Sequence, residues 1–158
     1  MPERAAAECS TRGRGGRHHA CMSNLPTEDQ LRALVDTFYG RARAHPSLGP
    51  LFAATVLDWD HHLAVVQNFW SHALLGTSRY KGHPYPVHIG LPIQREHFGM
   101  WLELFRVAAQ ETLPAVAAKA AIAKAEHMAE SFRAGLFPFD PVPSHELPPV
   151  KGAGPGAA

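Results

Sequence analysis

Residues 59–92 read WDHHLAVVQNFWSHALLGTSRYKGHPYPVHIGLP. The two halves of this stretch obey different physics. From Trp59 to Leu75 there is no proline, and Gly76 supplies a stop, so the spacing predicts a helix. His62, Val66, Phe69 and Ala73 recur at intervals that put them on one face of it. His62 then points to the same interior side as apolar residues, and a buried imidazole needs a partner. A neighbour's carbonyl would serve, and so would a bound ligand. His61 falls about 100° around the helix and His72 is also off the face, which places both towards solvent. The second half, residues 76–87, carries Gly76, Gly82, Pro84 and Pro86 and reads as a loop. A loop of that length inside a compact domain usually has a task. It delivers a short apolar segment, broken by Pro92, from which His88 projects. A neutral imidazole nitrogen is a good ligand for iron. On spacing alone, a surface loop histidine is the simpler reading of His88.

Upstream, Thr27 and Gln30 form a capping-box pattern that starts a helix. Leu31, Leu34, Val35, Phe38 and Ala42 follow along one face, and Pro46, Gly49 and Pro50 end the helix in a corner. Tyr39 lies at the edge of that stripe, where an amphipathic core tyrosine would keep its hydroxyl on water or a carbonyl. Downstream, a third long helix runs from about Gln94 to Glu111, with Phe98, Trp101, Leu102 and Phe105 on one face. The Trp101 indole is a donor only, so its burial calls for an acceptor. Pro114 opens the last helix, whose stripe is Ile122, Ala125, Ala129, Phe132 and Leu136, and Gly135 sits where it should end. No strand-like alternation and no internal repeat is present. Four substantial helices give an all-α domain, and their order alone does not choose between all-helical architectures.

The 158 residues are one domain's worth, and 46% of them are hydrophobic, enough for a core. A charged fraction of 18% and a net charge of +1 argue against nucleic acid or acidic substrates as partners. No apolar run is long enough to read as a membrane span. Residues 1–24 are expected to be a disordered extension, because an Ala-, Gly- and Arg-rich segment buries little. It has no hydrophobic segment for a secretory signal, and Met22 is a candidate translation start. Cys9 and Cys21 both lie in this segment, too few to make a disulfide framework, and read as free thiols in a reducing, cytoplasmic compartment. His18 and His19 are placed there too. Residues 138–158 are expected to be a Pro/Gly-rich tail, leaving residues 25–137 as the folded unit. No GxSxG, HExxH, P-loop or CxxC pattern is present. A non-haem metal site built from His61, His62, His88 or His97 on a helical bundle is the alternative chemistry. It lacks the Glu-x-x-His spacing of di-iron bundles, and Glu96 and His97, being adjacent, face apart.

Taken in order, FYGRARAHPSLGPLF, WDHHLAVVQNFWSHALLGTSRYKGHP, VHIGLP and HFGMWLELF resemble a group III truncated haemoglobin over roughly residues 29–136. The resemblance implies a shortened globin fold, two helices over two, around a b-type haem iron. It implies that His88, just before the LP turn, is the proximal iron ligand. Tyr39, after the Phe of the FY pair, and Trp101, on the third long helix, would be distal residues. His62, eight residues before the NFW tryptophan, would join them, with Val66 lining the ligand side one turn later. Phe52 would pack on the haem edge, and Phe38, Phe69 and Trp70 would be core and pocket aromatics. Arg79 and Tyr80, with Lys81, would lie near the haem propionates. His97 would be structural or exposed. The implied ligands are O2, NO and CO, held by donors from Tyr39, Trp101 and His62. Such a site suits slow release better than transport. Peroxidase-like or NO-dioxygenating chemistry would need a separate reductase, since the chain carries no flavin or nicotinamide motif. The expected state is a monomer or weak dimer.

Overall fold

A computed structural model describes residues 24–138. The expected terminal extension up to residue 23, with Cys9, Cys21, His18, His19 and Met22, and the tail beyond residue 138 lie outside the described residues. Five α-helices and one 3-10 turn follow in order: α1 Glu28–Ala44, α2 Leu48–Thr55, α3 Trp59–Leu75, the turn Pro86–His88, α4 Arg95–Thr112 and α5 Ala115–Leu136. No strand occurs among the described residues.

The helix ends follow from local chemistry. Thr27 Oγ1 accepts from the Gln30 amide, and Gln30 Oε1 accepts from the Thr27 amide, which completes the capping box. Asp58 caps α3 by accepting from the His61 amide at 3.0 Å. Gly76 closes α3 with φ 70°, a left-handed conformation that costs glycine little. His97 Nδ1 accepts from the Gln94 amide at 3.0 Å, so this half-buried histidine caps α4.

Two expectations need correction. The corner after the first helix contains a helix of its own, α2. Pro50 is its third residue, inside the first turn, where amides have no partner within the helix and a missing N–H costs nothing. The His45 imidazole caps it, accepting from the Ser47 and Leu48 amides at 3.2 and 3.3 Å. Gly135 does not end α5, which continues to Leu136. It leaves room for the Tyr85 hydroxyl, which would lie 2.5 Å from a Cβ at that position.

α1 packs on α2, α3 and α4, and α5 packs on α4 and α3. At the centre, Phe105 of α4 stacks on Trp70 of α3 (4.8 Å, 22°) and on Trp101 (5.0 Å, 6°), and Phe38 of α1 meets Trp101 edge-on at 5.0 Å. α5 contributes Ala117, Ala118, Ala121, Ala125, Ala129 and Phe132 to the buried set. Its small side chains allow a close approach, since interaxial distance follows side-chain size. No helix among the described residues is long and apolar enough to cross a membrane.

Phe105 is only 1% exposed and joins three helices. Truncating it in Phe105→Ala should cost about 3–5 kcal/mol of unfolding free energy, measured by urea denaturation. Val116→Ala on the exposed face of α5 should stay within about 0.5 kcal/mol of the parent.

Candidate functional site

The site grows from one buried phenol. Tyr39 is 7% exposed, held by α1 among Phe38 (4.8 Å), Phe52 (5.5 Å) and Trp59 (5.8 Å), all edge-on. Its hydroxyl lies 3.0 Å from His62 Nε2. Burial raises the Tyr39 pKa far above its usual value, so the phenol keeps its proton. The His62 pKa is lowered, first by burial and then by the neighbouring charges of His61 and His88. His62 is therefore the neutral partner, either accepting the phenol's proton into a hydrogen bond or donating its own to the phenol oxygen.

A cavity of about 10 Å³ lies against Tyr39, room for about one water-sized centre. Tyr39, Val66, Phe38 and Trp101 line it, together with Leu34, Val35, Trp70 and Phe105. The structure thus brings Phe38, Tyr39, Phe52, His62, Val66 and Trp101 into one constellation. His62, Val66, Phe69 and Ala73 are all half-buried, whereas the fully buried residues of α3 are Trp70 and Ser71.

His88 stands at the end of the 3-10 turn, half-buried, with its Nδ1 2.6 Å from the Pro84 carbonyl oxygen. A carbonyl can only accept, so Nδ1 carries the proton and Nε2 keeps its lone pair. That is the donor chemistry a haem iron requires. Phe132 of α5 supports the ring at 4.8 Å. His88 is near enough to oppose a charge on His62, so two imidazoles act on one region from separate elements. By this test the residues present fit a haem.

Phe69 packs edge-on against Tyr80 at 5.3 Å and against Trp70, which lines the cavity, at 5.2 Å. Burial raises the Tyr80 pKa. Arg79 is engaged elsewhere, by Glu28 and Ser71. His61 and His72 are exposed. Among the described residues, no group of three or more His, Cys, Asp or Glu is placed to hold a metal ion, which leaves the non-haem alternative without a ligand set. Trp59, Tyr85, Phe132 and the Pro84 carbonyl were missed by sequence reasoning. Trp59, whose ring contacts Tyr39, Phe52 and His62 and lies under the Arg43 guanidinium at 4.3 Å, could have been found as the apolar residue one turn before His62.

The depressed His62 pKa has a stability consequence. The unfolded chain protonates this ring near its ordinary value of 6.5, while the folded chain resists. Its contribution is therefore fully present above that value and is lost as pH falls below it. His62→Gln should flatten the acid-side decline in urea midpoint between about pH 7 and pH 5; a slope identical to that of the parent would contradict the assignment.

Comparison with known proteins agrees with this geometry. The model of the bacterial-like globin family matches residues 22–134. The group 3 truncated hemoglobin of Campylobacter jejuni is 35% identical over 83 residues, 49% of this chain and 65% of that protein. A group 2 truncated hemoglobin of Bacillus subtilis is 33% identical over 86 residues, 51% of this chain and 63% of that protein. Each alignment spans less than two thirds of the relative's length. The crystal structure of the group III truncated hemoglobin from Campylobacter jejuni superposes with a TM-score of 0.67 at 28% identity, covering 72% of this chain and 94% of that one. The fold is accordingly the truncated, two-over-two globin arrangement, with α1 and α3 crossing α4 and α5. Since the family match takes in every residue of the site described above, the chain belongs to the bacterial-like globin family.

Proposed function

We propose that the protein is a haem globin that binds O2 and other small diatomic ligands, NO and CO, beneath a polar distal group. The observation that supports this best is the Tyr39–His62 hydrogen bond at 3.0 Å, set beside a cavity that Val66 and Trp101 also line. A b-type haem supplies an iron with one coordination position open to a gas. His88 would hold it through Nε2, its ring fixed by the Pro84 carbonyl. Tyr39 would offer a bound gas a phenol proton and Trp101 an indole proton, with His62 placed to orient the phenol. Val66 and Phe38 keep the remaining surface apolar. Phe52 closes the Tyr39 side, and Phe69, with Tyr80 against it, continues the half-buried face of α3.

Donors held in a dry pocket favour retention of a partly charged ligand over its release. The protein is therefore better suited to holding or consuming a gas than to carrying it. NO dioxygenation or peroxidase-like turnover fits the same donors and would draw electrons from a separate reductase. The reading includes a cytoplasmic location and a monomer or weak dimer.

His88→Ala should abolish the Soret band of the purified protein, and externally added imidazole should restore it in part. Tyr39→Phe and Trp101→Phe should each speed O2 dissociation, by about tenfold to a hundredfold for a lost bond of about 1.5–3 kcal/mol, measured by stopped-flow replacement with CO. Unchanged rates in both variants would remove the distal network from the mechanism.

A further inference from the structure

Apart from the aromatic core, the described chain holds one tightly knit polar cluster, at the junction of α1, α3 and the loop that leads to His88. Ser71 is fully buried on α3. Its hydroxyl donates to Glu28 Oε1 at 2.7 Å and accepts from Arg79 Nη2 at 2.5 Å, and it lies 2.9 Å from Thr77 Oγ1. With the Thr77 hydroxyl donating, the one proton and both lone pairs of Ser71 are used. Arg79 also pairs directly with Glu28. Glu28 is the first residue of α1, and its second oxygen, Oε2, is buried as well. The Glu28 and Arg79 side chains stay 39% and 48% exposed, so their hold on each other rests on the shared, buried Ser71 hydroxyl more than on charge alone. One residue further along α3, His72 Nδ1 donates to the Thr77 carbonyl oxygen at 2.6 Å. Residues 77–79 are thus tied to both α1 and α3.

The other end of the same loop is fixed just as firmly. Tyr85 packs on Phe132 at 5.5 Å with its hydroxyl against Gly135, and His88 is bonded to Pro84. Between the two anchors Lys81, Gly82 and His83 are exposed. The 3-10 turn is therefore held between two anchors, and loosening the first leaves only Tyr85 and its contacts on α5 to place it.

We propose that Arg79 is a positioning residue for the proximal histidine: with Ser71, Thr77 and Glu28 it latches the loop that carries His88 onto the first turn of α1. This assigns Arg79 to the protein's own carboxylate, in place of the propionate role that the sequence resemblance implies. It rests on the reading of His88 as the iron ligand.

The test uses the haem-loaded full chain and three variants, Arg79→Met, Glu28→Gln and the double replacement. Two readouts are taken: the iron–imidazole stretching band of the ferrous protein by resonance Raman, and amide hydrogen exchange across residues 77–91. Each single variant should shift the band in the same direction and raise exchange about fivefold, and the double variant should go no further than either, the mark of two groups acting as one unit. Should Arg79→Met fail to fold, Thr77→Val weakens the same cluster from its mildest member and should move both readouts the same way. The latch is overturned if neither readout moves, or if Arg79→Met loosens haem retention while Glu28→Gln leaves band and exchange unchanged, since Arg79 would then serve the haem directly. Failure of the underlying reading looks different: the parent itself would lack an iron–imidazole band that disappears in His88→Gly.

Discussion

A phenol removed from water must bond to something, and the partner that Tyr39 finds decides much of this molecule. Tyr39 is on α1 and His62 is on α3, so the 3.0 Å bond between them ties two packed helices together in a set register. The rings around it follow. Phe52 on α2 and Trp59 at the start of α3 both meet Tyr39 edge-on, which holds the short α2 against the same point. On its other flank, Phe38 passes the packing to Trp101 and Phe105, and from there to Trp70. The distal group and the central stack are therefore one contiguous aromatic body. A change of volume at either end is felt at the other, because close-packed interiors transmit strain.

Periodicity was sufficient for α1, α3, α4 and α5, because each carries an apolar stripe at helical spacing, with a capping box starting α1 and a glycine closing α3. It also put His62 on the inner side of α3 and His61 outside, which the burial of the two residues matches. It failed at α2 for an identifiable reason. Pro50 and Gly49 are breakers in a helix interior and harmless in a first turn, and the cap is the ring of His45, a side chain that no N-cap preference singles out. It failed again at Gly135, which looks like a C-cap and is a steric notch for Tyr85, 50 residues away in sequence.

The site was legible in a more uneven way. Tyr39, Val66 and Trp101 belong to helices, so a face assignment carries over into a location. His88 belongs to a turn, and nothing in the spacing of a Pro- and Gly-rich loop says which way its ring points; the contact with the Pro84 carbonyl that orients it is tertiary detail. Arg79 shows what a local pattern leaves out. The resemblance placed it by its position in a loop, whereas the structure places it by charge, against a Glu that lies 51 residues away. Long polar side chains in loops choose their partners through tertiary contact, and a local pattern does not encode that choice.

The two imidazoles also differ in how freely they can respond. His88 has its Nδ1 proton committed to Pro84, its ring backed by Phe132 and its loop anchored at both ends, so its tautomer and direction are set in advance. For His62, two arrangements of the bond to Tyr39 are available. If the phenol donates to Nε2, the Tyr39 proton is spent within the protein. If Nε2 carries the proton and donates to the phenol oxygen, the Tyr39 proton is free to meet a ligand. Moving from the first arrangement to the second requires only a tautomer change on a ring that burial and two neighbouring histidines already hold neutral. With His88 fixed and the Tyr39–His62 pair rearrangeable by one proton, the structure confines adaptation to the hydrogen bond between Tyr39 and His62.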